Sequence, residues 1–190
     1  MLKPVTAQQA WEVLKQADCL YQAPEVEAAL DAMARAITQK LAATDPVVIG
    51  VMNGGLIPFG QLLPRLHFPL QTDYIHVTRY GHGLSGGELK WVVYPSIAAQ
   101  DRVVLLIDDI LDEGMTLAAI EEHFRSQGAR AVHKAVLVSK QRPRRKSIEV
   151  EFVGLQVPDR YVFGYGMDYK GYLRNAPGIY AVADVHEEKT

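Results

Sequence analysis

Cysteine is almost absent from this 190-residue chain. Cys19 stands alone, so no internal disulfide can form, and no Cys/His cluster has the spacing of a structural zinc site. An excess of charge of one sign is missing too. The 20 Lys and Arg residues against 22 Asp and Glu give a formal charge of -2, which leaves no overall field to hold nucleic acid or an anionic membrane. A polyanionic ligand would have to be gripped locally. Long hydrophobic runs are lacking, and the opening Met1-Leu2-Lys3-Pro4-Val5-Thr6 has no apolar core of a signal peptide. Repeats, low-complexity tracts and linkers are also missing. These absences predict a cytoplasmic protein that neither enters a membrane nor binds nucleic acid. What is present, 48% hydrophobic and 22% charged residues, suffices for one core, so a single domain over residues 1–190 is expected.

Thr6-Ala7-Gln8-Gln9 reads as a capping box, and Ala10, Trp11, Leu14 and Ala17 follow at helical spacing. A longer helix starts near Pro24, with Val26, Leu30, Met33, Ile37 and Leu41 on one stripe. These N-terminal helices span about 6–43. From residue 47 the texture changes to short β-branched runs at 47–52, 74–78, 91–94, 103–107 and 132–138, with helix-like pieces between some of them. Continuous apolar strands alternating with helices predict an α/β fold with a mostly parallel sheet, its core at about 47–140.

The most informative stretch is Val103-Val104-Leu105-Leu106-Ile107, which runs into Asp108-Asp109-Ile110-Leu111-Asp112-Glu113-Gly114-Met115-Thr116, with a helix expected from Leu117 to Gln127. Ligands of open α/β sheets bind beyond the carboxyl ends of strands, and the next helix offers free N–H groups to a phosphate. Three carboxylates and a phosphate nest are thus expected to share one loop. Gly114 admits unusual backbone geometry, while Asp108 and Asp109 suit ribose hydroxyls or a hard cation such as Mg²⁺. Asp-Asp alone would as readily be a capped, solvated turn; three carboxylates in five positions, then Gly and Thr, favour a site.

This stretch resembles the phosphoribosyl diphosphate (PRPP) motif of type I phosphoribosyltransferases. Three further segments resemble the hypoxanthine-guanine (6-oxopurine) branch, over about Val47 to Asp184. The resemblance implies a type I phosphoribosyltransferase fold: a mostly parallel central sheet flanked by helices, with a small purine-binding hood built from the N-terminal region and about 150–184. It implies that Asp108, Asp109, Glu113, Gly114, Met115 and Thr116 hold the ribose phosphate. Glu113 and Met115 depart from common family choices, Thr and a cation, so backbone N–H groups and Thr116 would carry more of the grip.

Gly50-Val51-Met52-Asn53-Gly54-Gly55 resembles the family loop that meets pyrophosphate, where the peptide bond before Asn53 is often cis. Asn53 and Gly54 would lie on the pyrophosphate, although Asn53 replaces a usual cation and Asn-Gly-Gly alone reads as a turn. Val138-Ser139-Lys140 resembles the strand end whose Lys140 donates to the purine O6. The basic run that follows, Arg142 to Lys146, reads as a solvated loop. In the segment Val157 to Arg174, the resemblance has Tyr161 stack on the base and Val162 present main-chain atoms to it. Asp168 on the purine side would bind Mg²⁺, and Arg174 would pair with pyrophosphate. Read alone, Tyr161 and Tyr165 are ordinary core or surface aromatics.

Gly81, Gly83 and Gly86 form a literal G-x-G-x-x-G, but Leu89 to Tyr94 reads as strand, which excludes a dinucleotide fingerprint. The position resembles the family's lid, with Arg79 and Tyr80 closing over the site. The implied activity is Mg²⁺-dependent transfer of the phosphoribosyl group from PRPP to N9 of hypoxanthine or guanine. Asp112 would take the base proton or stabilise the protonated base. The resemblance also implies a homodimer or homotetramer. The competing reading is a PRPP-sensing or RNA-binding regulator on the same fold. A phosphoacceptor domain using Asp108 and Asp109 lacks the expected downstream Lys and Thr/Ser pattern.

Overall fold

The computed structural model describes residues 5–79, 89–143 and 148–183. Helix α1 (Ala7–Gln16) starts where the sequence places it. Thr6 Oγ1 accepts from the Gln9 N–H (3.2 Å), and Gln9 Oε1 accepts from the Thr6 N–H (2.8 Å), two otherwise orphaned donors satisfied together. Strand β1 (Asp18–Tyr21) leads to α2 (Ala23–Leu41), which buries the stripe Val26, Leu30, Met33, Ile37 and Leu41. Next come β2 (Val47–Met52), α3 (Leu56–Leu62), a 3₁₀ turn (Leu63–Arg65), β3 (Gln71–Arg79) and β4 (Leu89–Val93). The chain continues through β5 (Val103–Leu111), α4 (Met115–Ser126), β6 (Ala131–Lys140), β7 (Phe152–Val157), β8 (Val162–Phe163) and β9 (Ile179–Ala181).

Six strands form one sheet in the order β4-β3-β2-β5-β6-β7, parallel throughout except for β4 against β3. The period of two along β5 explains its uninterrupted apolar run. Val103, Leu105 and Ile107 pack on the face covered by α2 and α3, while Val104 and Leu106 pack with Leu117, Ile120 and Phe124 of α4 on the other. With both faces covered, no position alternates to polar.

Topology fixes where a ligand goes. From β2 the chain passes through α3 to β3 on one side, and from β5 through α4 to β6 on the other. The strand order therefore switches between β2 and β5, and the crevice outside their carboxyl ends is the natural binding place.

A three-stranded antiparallel sheet, β1-β9-β8, draws on both ends of the chain. Phe163, Tyr169 and Val182 pack there against Val13 of α1. The hood hydrogen-bonds and packs onto the core: the Tyr21 hydroxyl donates to the Gln156 carbonyl at 2.7 Å, and the buried Tyr165 donates to Glu27 of α2, which also pairs with Arg65. Burial and the adjacent Glu27 carboxylate push the Tyr165 hydroxyl up to about 12.

One expectation needs correcting. β5 does not stop at Ile107 but runs to Leu111, because parallel pairing continues through Asp108↔Val136, Ile110↔Val138 and Leu111↔Ser139. Asp108 and Asp109 are therefore strand residues, and only Asp112 and Glu113 belong to the loop.

Candidate active site

The carboxyl ends of β2, β5 and β6 open on one edge, where a cleft of about 360 Å³ is lined by residues 108–114 with Thr116 and Leu117. Asp108 and Asp109 are each only 9% exposed, and the Asp109 N–H donates to Asp108 Oδ1 at 2.9 Å. Burial pushes the Asp108 carboxyl well above the usual range, and the charge of Asp109 adds to it. Burial also raises Asp109, against the opposing hydrogen bond with Asp108 and the positive charge of Arg174. A carboxyl raised in the folded state contributes stability only below the ordinary carboxylate range and loses it as pH rises through the folded value. At neutral pH the pair is thus a cost of folding. Asp108→Asn keeps the acceptor for the Asp109 N–H and removes a buried ionisable group; in metal-free buffer at neutral pH its melting temperature is expected to rise while the KM for PRPP also rises. A lower melting temperature would refute the electrostatic reading.

Gly114 caps α4 at φ 77°, and a Cβ there would stand 2.5 Å from Ile148 Cγ2. This left-handed cap turns the chain so that Glu113 and Thr116 line the cleft. Met115 is the first residue of α4 and lies outside that lining.

Across the switch point, the Met52-Asn53 peptide bond is cis, as the family resemblance implies, and Asn53 is exposed. Gly54 lies directly against Asp109, since a Cβ on it would be 2.0 Å from Asp109 Oδ2. Gly166 is packed as closely on the other side, its hypothetical Cβ 2.1 Å from the Gly54 carbonyl oxygen. Arg174 Nη1 donates to the Gly166 carbonyl at 2.5 Å, and Arg174 Nη2 pairs with Asp168 Oδ1 at 2.6 Å. Asp168 Oδ2 accepts from the Gly171 N–H at 2.7 Å. Gly54, Asp109, Asp168 and Arg174, remote in sequence, thus form one cluster.

At the end of β6, Lys140 Nζ lies 3.1 Å from Asp112 Oδ2. Sequence reasoning missed two further members. Arg142 Nη1 donates to Asp112 Oδ1 at 2.8 Å, and Asp159 Oδ1 lies 3.8 Å from Lys140 and 3.5 Å from Arg142. Arg142 stands in a loop, partly exposed, but its guanidinium is held by Asp112. A cation two residues beyond a strand-end lysine was the available signal.

Tyr161 is 41% exposed and packs edge-on against Tyr169, ring centroids 5.6 Å apart. The Val182 N–H donates to the Tyr161 carbonyl, and Val162 stands opposite Ala181. By antiparallel alternation, the N–H and C=O of Val162 point away from β9, toward the outer edge of β8. Arg79 ends β3. Its side chain, Tyr80, the glycine-rich segment 81–88, residues 144–147 and Asp184 lie outside the described residues.

The Phosphoribosyl transferase domain family matches residues 16–170. A curated relative, the hypoxanthine-guanine phosphoribosyltransferase of Bacillus subtilis, is 33% identical over 82% of this chain and 87% of its own length. The enzyme of that name from Aquifex aeolicus is 32% identical over 73% of this chain and 78% of its own. A solved hypoxanthine phosphoribosyltransferase from Staphylococcus aureus superposes with a TM-score of 0.86 at 26% identity, covering 97% of this chain and all of that one. With the switch-point cleft, the buried acidic pair and the hood in place, this chain belongs to the phosphoribosyltransferase family.

Proposed function

We propose that residues 1–190 act as one hypoxanthine-guanine phosphoribosyltransferase domain serving purine salvage. N9 of the base attacks C1′ of PRPP, the C1′–O bond to pyrophosphate breaks, and the base proton passes toward Asp112. The observation that carries this reading is the cluster of Asp112, Lys140 and Asp159 beside the cleft that holds Asp108, Asp109 and Thr116. In this reading purine-side groups lie next to a ribose-phosphate pocket. Lys140 meets O6, Tyr161 stacks on the ring, and Val162 offers main-chain polar atoms to its edge. Asn53, Gly54 and Arg174 serve the pyrophosphate, and Gly114, Thr116, Glu113 and Met115 the 5′-phosphate end. The sequence resemblance assigns Arg79 and Tyr80 to a lid.

Among the described residues no three His, Cys, Asp or Glu side chains converge as a protein cage for a metal. The carboxylates of Asp108, Asp109 and Asp168 are oxygen donors of the kind Mg²⁺ takes, one or two at a time together with waters and substrate phosphates. Asp168 with Asp108 and Asp109 would hold it, and its charge would neutralise the departing pyrophosphate. Asp108 and Asp109 themselves orient the ribose hydroxyls. The family resemblance is the support for a homodimer or homotetramer. The lone exposed cysteine suits the cytoplasm, and no helix among the described residues is long and apolar enough to cross a membrane.

The curated relatives are transferases by name, which favours catalysis over a purely PRPP-sensing role. Coupled assays of PRPP with hypoxanthine, guanine and xanthine should give IMP and GMP with release of pyrophosphate. No nucleotide from any of the three bases would refute the proposal.

A further inference from the structure

We infer that Arg142 is a positioning residue for Asp112, an inference that rests on the purine-side role proposed above for that carboxylate. Four charges from three segments close a ring: Asp112 after β5, Lys140 and Arg142 at the end of β6, and Asp159 before β8. Arg142 Nη1 lies 2.8 Å from Asp112 Oδ1, while Lys140 Nζ lies 3.1 Å from Oδ2. The two cations thus divide the two carboxylate oxygens between them. Asp159 Oδ1 is within 3.8 Å of both cations and keeps the ring near neutrality.

The division matters because Lys140 has a second task. When its ammonium turns to the purine O6, Asp112 would lose its orientation if lysine were its only anchor. Arg142 instead holds Oδ1 and leaves Oδ2, the oxygen the lysine vacates, toward the N–H of the base. A guanidinium suits this better than a second ammonium, because its planar fork is rigid and its charge permanent. Arg142 also shares the attraction of Asp112, so Lys140 is not locked against the carboxylate when the base arrives.

Arg142 acts through Asp112, so its effect must disappear when the Asp112 charge is removed. Steady-state rates with hypoxanthine are measured for Arg142→Ala, Arg142→Lys, Asp112→Asn and the double variant. Arg142→Ala is expected to lower kcat about tenfold with the KM for PRPP within about twofold, and Arg142→Lys to recover part of the loss. In the Asp112→Asn background the same alanine change should cost less than about twofold. An undiminished loss in that background, or no loss in the parent, overturns the inference while leaving the proposed function intact. A parent-like rate for Asp112→Asn alone overturns the reading of Asp112 and the inference with it.

Discussion

Asp112→Asn is expected to lower the turnover number about a hundredfold, with the KM for PRPP changed less than about threefold. The substitution preserves size and, in the proposed mechanism, removes charge at the point where positive charge develops on the base. It also replaces an acceptor by an N–H₂ that must face either Lys140 or Arg142, which hold Oδ2 and Oδ1. Donor would then meet donor. Among the described residues the cluster would keep the acid Asp159 beside Lys140 and Arg142, and Lys140 would be drawn away from the proposed base position. Folding should change little, because Asp112 is 42% exposed in its side chain and ion pairs at such exposure contribute modestly. Turnover within a few-fold of the parent would remove Asp112 from the proton-accepting role.

The second large effect is expected from Gly166→Ala. Gly166 has φ 109°, and a Cβ would meet the Gly54 carbonyl oxygen at 2.1 Å and Pro58 Cδ at 3.2 Å. The obstacle is backbone, so no side-chain rotation relieves it. Either the Asn53-Gly54 loop or the Tyr165-Gly166-Met167 turn has to move. The turn is held on both sides, its N–H donating to the Arg174 carbonyl at 2.9 Å and its carbonyl accepting from the Arg174 guanidinium at 2.5 Å. A loss of about 3 kcal/mol is expected, read as a melting temperature roughly 10 °C lower. The KM for PRPP should rise in the surviving enzyme if Gly54 and Arg174 serve the pyrophosphate as proposed. An unchanged melting temperature would show that the two loops do not press on each other as described.

The chemistry of this protein was legible in sequence wherever a local pattern carries it. The run from Val103 to Thr116 announces strand, acidic turn and helix together, and the capping box at Thr6 marks a helix start to the residue. The end of β5 was not legible, because Asp108 and Asp109 are poor strand formers kept in register by β6. The hood was only partly so. β8 has two residues and β9 three, too few for any periodicity to show, and β1 has no pattern without its partner. Arg142 illustrates a different limit. Its neighbours in sequence are a basic, polar run, and only the fold brings Asp112 and Asp159 against it. The contact of Gly54 with Asp109 and Gly166 is equally invisible, since a glycine announces freedom and not what stands beside it.

The small sheet has a consequence for the order in which the protein is made. β1 lies at residues 18–21 and, among the described residues, pairs with β9 at 179–181 alone, whereas the strands of the large sheet all fall between residues 47 and 157. On the ribosome the large sheet can collapse around β2, β5 and β6 while β1 still waits for its partner. The cleft at the ends of β2, β5 and β6 can therefore take shape before the small sheet closes. Synthesis stopped short of β9 would yield a chain whose large sheet can form while β1 has no strand to pair with.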